Sequence, residues 1–371
     1  MIHVFVGTKA QFIKMAPIMQ ELDRRGIIYN FIDAGQHAGI TGDLIEQFGL
    51  RQPDVFLREK RGNIDTLFQA FNWVFSSLWR ITLSRTQVYE QVFGGDGGIC
   101  LIHGDTLTTL LSLLYAKRCG LKVAHVEAGL RSYHLLNPFP EEIIRLFAMR
   151  YSDILFTPSD WALENLYKMG YRHKAVNPGG NTIIDTIRYA RKHIDSGRCS
   201  SAPYVVATTH RVETIYSRSR MEMLVALLER IVGERQVFFV LHEPTRRQLS
   251  RFGLYTRLVQ NRFIEVLPLQ PYLKFVNLLA GADFVVTDGG SIQEETYFLG
   301  IPCLIMRSRT ERLEGLGENA YLAEFEKHSI ERFLDLWPTK SRRNLFENSY
   351  PSRVIVDSIL EQGYGARKPY A

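Results

Sequence analysis

CLIHGDTLTTLL (residues 100–111), KVAHVEAGLRS (122–132) and NPFPEEIIRL (137–146) decide the reading of the fold. The first is an apolar run ending in His-Gly-Asp, followed by residues with helical spacing. The second is an apolar run ending at Glu127, and in the third Glu141 opens a helical pattern immediately after Pro140. Short, continuous apolar runs alternating with helical patterns predict parallel strands buried on both faces and joined by crossover helices. Ligands of such sheets bind outside the carboxyl ends of the strands. Asp105, Glu127 and Glu141 fall at those junctions, whereas a solvated helix face scatters its acids. Any one of them alone reads equally as a capping or surface acid; the three together read as a site.

The alternation continues outward. Upstream and downstream of this stretch, IHVFVG, YNFIDAG, DILFTPS and a short stretch near Ala175 to Asn177 have strand character. AQFIKMAPIMQELDRRG, GDLIEQFGL, DTLFQAFNWVFSSLWRI, LTTLLSLLYAKRCG and EEIIRLFAMRY have helical spacing. Pro17 lies inside the first of these helices and predicts a kink or a later start. The aromatic segment around Phe68, Phe71, Trp73, Phe75 and Trp79 is read as core or dimer-interface packing. A polar segment from Lys192 to Pro203 reads as a linker, after which the pattern restarts. PYVVATTH, QVFFVLH, RFIEVLP, DFVVTDG and PCLIMR are the second set of strands, with helices between them. The expected fold is therefore α/β, with doubly wound domains over residues 1–192 and 203–348 and a ligand cleft between them. A last helix within residues 349–371 packs on one or the other.

Composition agrees with a folded enzyme or binding protein. Of 371 residues, 46% are hydrophobic and 23% charged, which excludes wholesale disorder. At 371 residues the chain exceeds one ordinary core, so two domains are the default. A formal charge of +6 suits an acidic ligand, but the basic residues are dispersed and form no nucleic-acid footprint. Cys100, Cys119, Cys199 and Cys303 have no metal-binding spacing and read as free thiols in a reducing compartment. There is no leader-like start and no apolar run of membrane-spanning length, so the expectation is a cytoplasmic protein without membrane contact.

Glycine turns supply further candidates. Gly7-Thr8-Lys9 follows the first strand and precedes a helix whose N–H groups can hold a phosphate, with Lys9 adding charge. Gly289-Gly290-Ser291 repeats that geometry in the second half, with Glu294 and Glu295 in the first turn beyond it. Those two acids read either as helix-dipole partners or as acceptors for a ribose diol. His210 and Arg211 end YVVATTHR and suit a diphosphate, though a polar turn reads equally well. Arg145 lies one helical turn from Glu141, with a simple ion pair as its plain reading. Arg307 and Arg312 flank the last strand's loop. His37 and His242 follow strands and read as structural histidines. No HxH or HExxH spacing occurs, so no metal is expected.

With these motifs assembled, the chain resembles the non-hydrolysing UDP-N-acetylglucosamine 2-epimerase family. GTKAQFIKMAPIMQEL, AGQH, HGDTLTT, HVEAGLRS, PFPEE with Arg145, GNTIID, THRVE, TDGGSIQEE, LGIPCLIMR and TERLE follow the family order over roughly residues 3 to 314. The resemblance implies two Rossmann-like domains in a GT-B arrangement, a homodimer, and interconversion of UDP-GlcNAc and UDP-ManNAc without metal or nicotinamide cofactor. It implies Asp105, Glu127 and Glu141 as acid/base carboxylates and His210 as an essential histidine. Lys14, Arg145, Arg211, Gly290, Glu295 and Arg312 match positions lining the nucleotide-sugar site. Gln36 and His37 match a motif near a second, regulatory substrate site.

The chemistry fits several carboxylates and a cationic clamp. Removal of the C2 proton coupled to departure of UDP from C1 gives 2-acetamidoglucal, and re-addition with protonation from the other face inverts C2. That requires a base, an acid on the opposite face and cations for the diphosphate. The chain departs from the family at three places: GTRPE is GTKAQ, DSGG is DGGS, and TERPE is TERLE followed by GLGENAYL. These departures keep other readings open. One is a 2-epimerase for a modified UDP-sugar such as a diacetamido uronic acid; another is a nucleotide-sugar-binding protein without turnover; a third, on fold alone, is a GT-B glycosyltransferase.

Overall fold

Every strand pairing among the described residues is parallel. The computed structural model describes residues 1–35, 38–57, 84–135, 139–193, 200, 202–233, 235–310, 312–337 and 348–365. They divide into two units, Met1–Thr186 with Asn348–Ala371, and Ile187–Glu347. Each is a Rossmann-like, doubly wound α/β unit.

In the first unit the strands are β1 (Ile2–Val6), β2 (Tyr29–Asp33), β3 (Val55–Phe56), β4 (Ile99–His103), β5 (Lys122–Val126), β6 (Ile154–Phe156) and β7 (Ala175–Val176). Their order across the sheet is β3-β2-β1-β4-β5-β6-β7. Ile2 sits opposite Tyr29 on one side and Ile99 on the other. β1 and β4 are buried along their whole length, the reason their sequences are continuous apolar runs rather than alternating ones. The second unit holds β8 (Tyr204–Thr208), β9 (Gln236–Val240), β10 (Ile264–Leu267), β11 (Val285–Thr287), β12 (Cys303–Ile305) and β13 (Ala320–Leu322), in the order β10-β9-β8-β11-β12-β13. Each sheet thus has a switch point, between β1 and β4 in one and between β8 and β11 in the other. There the crossovers leave in opposite directions and the loops beyond the strands stand open.

The helix Lys9–Arg24 begins at the first residue after its Thr8 cap and runs through Pro17, so the later start expected from the proline does not occur. Pro17 has no N–H to give the carbonyl of Ile13, four residues back. Thr186 replaces it, donating its hydroxyl to that carbonyl at 2.8 Å. The same residue closes the first unit: the division falls after Thr186, inside the helix Ile183–His193. Residues 194–199 and 201 of the expected linker lie outside the described residues, as do Cys199 and the aromatic segment of residues 68–79. Cys100, Cys119 and Cys303 are buried free thiols. Among the described residues no helix is long and apolar enough to cross a membrane, and none of their His, Cys, Asp and Glu side chains form a group able to hold a metal ion.

The last helix, Pro351–Glu361, packs on the helix Lys9–Arg24 and so belongs to the first unit. Ile355, Val356 and Ile359 form its buried stripe. Arg25 pairs with Asp357, and the N–H of Ser352 donates to Asp185 Oδ2 at 2.8 Å. This places a segment from the chain's end beneath the first helix of the unit. Replacing Ile359, which is fully buried, by alanine is expected to lower the unfolding free energy by about 2–5 kcal/mol. Urea denaturation read by circular dichroism checks it, and wild-type stability would show that the helix is dispensable.

Candidate active site

At the first switch point, the loops after β1 and β4 are joined through Gln11, a buried side chain. Its Oε1 accepts the N–H groups of Gly7 at 3.1 Å and Thr8 at 3.2 Å. Its Nε2 donates to the His103 carbonyl at 2.8 Å and lies 3.0 Å from Thr106 Oγ1 and 3.1 Å from Thr109 Oγ1. A carboxylate at this position could keep the first two bonds but could not donate to the carbonyl. The loops also approach so closely that a Cβ on Gly7 would lie 2.6 Å from the Thr108 side chain. Glycine is required there by space. Asp105, on the β4 loop, is thereby fixed one residue before Thr106, the cap of the helix Leu107–Arg118.

Glu127 follows β5 with φ of 66°, a left-handed conformation uncommon for a residue with a side chain. Its carboxylate is nevertheless firmly held. Lys14 Nζ and Asn181 Nδ2, the latter at 2.7 Å, both donate to Oε2, and His103 Nε2 lies 3.6 Å away. Lys14, Asn181 and Glu127 are all buried. Beside them His125 donates from Nε2 to the Gly104 carbonyl at 2.7 Å. Burial pushes its imidazole down to about 4, against the attraction of Asp105 and Glu127.

A chain of alternating charges runs from the same strand end. Arg131 Nε lies 2.5 Å from Glu142 Oε1, the Ser132 N–H donates to Glu142 Oε2 at 2.9 Å, and Arg145 Nη1 is 3.3 Å from that oxygen. Arg145 Nη2 continues to Asp105 Oδ2 at 2.5 Å. The Asp105 side chain is 24% exposed, the most open member of this chain. Arg145 therefore pairs with Asp105 and Glu142 rather than serving Glu141 alone. Glu141 itself, partly buried, opens the helix Glu141–Tyr151.

The second unit repeats the lacing with a different side chain. Fully buried Asp288, after β11, accepts the N–H groups of His210 at 3.0 Å and Arg211 at 3.1 Å and the hydroxyl of Thr209, all after β8. Its Oδ1 is 3.5 Å from His210 Nδ1. The His210 ring stacks on His242, with centroids 4.8 Å apart, and its side chain remains 38% exposed. Withdrawal of the ring's inner side from water holds its pKa below the ordinary value, against the pull of Asp288. The helix Gly290–Leu299 starts with no side-chain cap, leaving its first N–H groups for a ligand. Arg211 and Arg312 converge there: a Cβ on Gly290 would lie 3.3 Å from Arg312 Nε and 3.7 Å from Arg211 Nη2. Two guanidinium groups over an open helix start are an arrangement that suits an anion.

The remaining candidates are more dispersed. Lys9 and Ser291 are partly buried at their glycine turns. Glu294 is fully buried and 2.5 Å from Arg312 Nη1. Glu295 is buried against Tyr272, whose phenol is pushed well above its ordinary value by burial and then by that carboxylate. Gln36 and His37 lie outside the described residues. Glu142 and Asn181 are the structural additions in the first unit and Asp288 in the second. PFPEE, GNTIID and TDGG contain them, but their burial, which marks them, is a property of the fold.

The family model for UDP-N-acetylglucosamine 2-epimerase matches residues 20–359. The UDP-N-acetylglucosamine 2-epimerase of Methanococcus maripaludis is 28% identical over 384 residues, with 99% of both chains covered. The UDP-2,3-diacetamido-2,3-dideoxy-D-glucuronate 2-epimerase of Pseudomonas aeruginosa is 29% identical over 321 residues, covering 84% of this chain and 85% of that one. Among solved structures, the Methanocaldococcus jannaschii UDP-GlcNAc 2-epimerase in complex with UDP-GlcNAc and UDP superposes with a TM-score of 0.82 at 27% identity, over 97% of this chain and 99% of that one.

The buried histidine gives a pH prediction. His125 binds its proton more weakly folded than unfolded, so its contribution to stability is complete above pH ~6.5 and is lost as pH falls toward 4. The expected loss is on the order of 3 kcal/mol. Denaturation at a series of pH values should show this slope in wild type and a flatter one in His125→Gln; equal slopes would remove the assignment.

Proposed function

The chain belongs to the UDP-N-acetylglucosamine 2-epimerase family, and from that membership we propose that it is an isomerase that inverts C2 of a UDP-linked 2-acetamido sugar, UDP-GlcNAc and UDP-ManNAc being its pair. The observation that carries this reading is the set of three carboxylates after β4 and β5: Asp105 and Glu127 just beyond the strand ends, and Glu141 opening the helix whose Arg145 reaches Asp105. Glu127, bound by Lys14 and Asn181, orients the sugar. Asp105 and Glu141 divide the proton transfers at C2, because Asp105 is open to a ligand and is tied on one side to a permanent cation. Coupled elimination takes the proton from C2 to a carboxylate while the C1–O bond breaks and its electrons leave with UDP. Arg211, Arg312 and the open start of the helix Gly290–Leu299 stabilise the departing diphosphate. His210, whose partial withdrawal from water holds its pKa below the ordinary value, supplies a hydrogen bond to it. Reversal, with the proton returned from the other face, gives the epimer.

The modified-sugar reading drew on the basic balance and on the altered stretch after TERLE. Asn319 of that stretch donates to the carbonyls of Thr296 and Ile301, at the carboxyl end of the helix Gly290–Leu299, which gives that residue a packing role. A homodimer, as the resemblance implies, is supported by Ile143, Phe147 and Tyr151, apolar residues exposed along one face of a helix.

Incubation with UDP-GlcNAc in D2O is expected to place deuterium at C2 of both epimers. Asp105→Asn should slow this by about 10²–10⁴-fold, the range of acid–base catalysis. Absence of exchange on UDP-GlcNAc, UDP-ManNAc and the diacetamido uronate would end the epimerase reading, and preferential turnover of the last would move the substrate. Sedimentation should give a dimer that Phe147→Glu dissociates; a wild-type monomer contradicts the assembly.

A further inference from the structure

Glu142 has no part in the chemistry above, although it adjoins Glu141 and is completely buried. All its contacts come from donors: Arg131, the Ser132 N–H and Arg145. Burial alone would raise its carboxyl group, but the Ser132 N–H and the Arg131 and Arg145 guanidinium groups bring it below the usual carboxylate range, so the group is an anion. A buried ion pair is a poor way to gain stability, since desolvation offsets most of the attraction and apolar packing does as well. What apolar packing could not supply is orientation. A guanidinium is a rigid planar fork. Glu142 occupies one arm of Arg145, and the other arm is then directed at Asp105 Oδ2, 2.5 Å away. Its remaining bonds tie down Arg131 and Ser132, four and five residues beyond Glu127, to the helix whose first residue is Glu141.

We propose that Glu142 is a positioning residue for the epimerisation, one that aims Arg145 at Asp105 and straps the segment after Glu127 to the helix bearing Glu141. Through a single side chain, a group that touches no substrate ties together the segments that carry Asp105, Glu127 and Glu141. The proposal rests on the epimerase reading and deepens it. It separates two glutamates adjacent in sequence, giving the partly buried one to the reaction and the buried one to its geometry.

The test uses the full chain with UDP-GlcNAc, following epimer formation and C2 deuterium exchange in wild type, Glu142→Gln, Glu142→Asp, Asp105→Asn and the double variant Glu142→Gln/Asp105→Asn. Glu142→Gln is expected to lower kcat about 100-fold, the cost of misplacing a reacting group by roughly 1 Å, with KM and calorimetric UDP affinity unchanged. Loss of one buried negative charge favours ionisation of the carboxylates nearby, so the acid limb of the kcat/KM profile should move to lower pH. In the Asp105→Asn background the part of its effect that passes through Asp105 is absent, so the two losses should add less than fully. Wild-type kcat in Glu142→Gln overturns the proposal, and so does a loss that adds fully to that of Asp105→Asn with the acid limb unmoved. If Glu142→Gln does not fold, Glu142→Asp decides: it keeps the charge but shortens the reach, so reduced kcat at constant KM supports positioning and unchanged kcat overturns it. A wild-type chain that exchanges no deuterium on any UDP-HexNAc brings down the epimerase reading and this proposal together, whereas a silent Glu142 brings down this proposal alone.

Discussion

Both units depend on closing a gap that their topology creates. At a switch point two neighbouring parallel strands send their chains in opposite directions, so the loops beyond them have no strand partner for their backbone groups. One buried polar side chain closes each gap, and its chemistry follows from what the loops present. In the first unit they offer N–H groups at Gly7 and Thr8 and a carbonyl at His103, so the lace must accept and donate, and Gln11 does both. In the second, the Thr209 hydroxyl and the N–H groups of His210 and Arg211 are donors, and a carboxylate, Asp288, satisfies all three, while the Thr209 carbonyl takes the Thr245 hydroxyl.

That difference sets the electrostatics. A neutral lace leaves the charge at the first switch point to the carboxylates and their cations. An anionic lace in the second unit lies against His210 and partly offsets the cationic field of Arg211 and Arg312. The departures from the family pattern take on meaning in this setting. Gln11, where the family has a carboxylate, is the lace itself. At Gly289, where the family has serine, a Cβ would lie 3.0 Å from His210 Cε1. The ring rests on the space that a side chain there would take, so the missing serine and the position of His210 belong together.

The layering of the fold was legible because strands buried on both faces must be continuously apolar, and β1, β4 and β8 are. β3 and β13 span two and three residues and carry too little pattern to read. The partner of the last helix was not legible either, since it is set by contacts such as Arg25 with Asp357, distant in sequence. Asp105, Glu127 and Glu141 announced themselves by falling at element junctions. The helix Glu141–Tyr151 misleads in a more instructive way: it buries Glu142 and Arg145 while exposing Ile143, Phe147 and Tyr151. Ile144, Ala148 and Met149 share the buried face, and the two charges go in with them because they meet opposite charges at Arg131 and Asp105.

A buried charge is tolerable when it is flanked by opposite ones. In the series Arg131, Glu142, Arg145, Asp105, each inner member has a counter-ion on both sides, and the ends are the more exposed members, with side chains 15% and 24% exposed. Glu142 and Arg145 therefore have strong reason to keep their charges. In the reaction proposed above, Asp105 takes part in proton transfer at the open end of the series, and an acid/base group that alternates between two states needs an anchor that does not alternate with it. The buried carboxylate one step behind the arginine is placed to be that anchor.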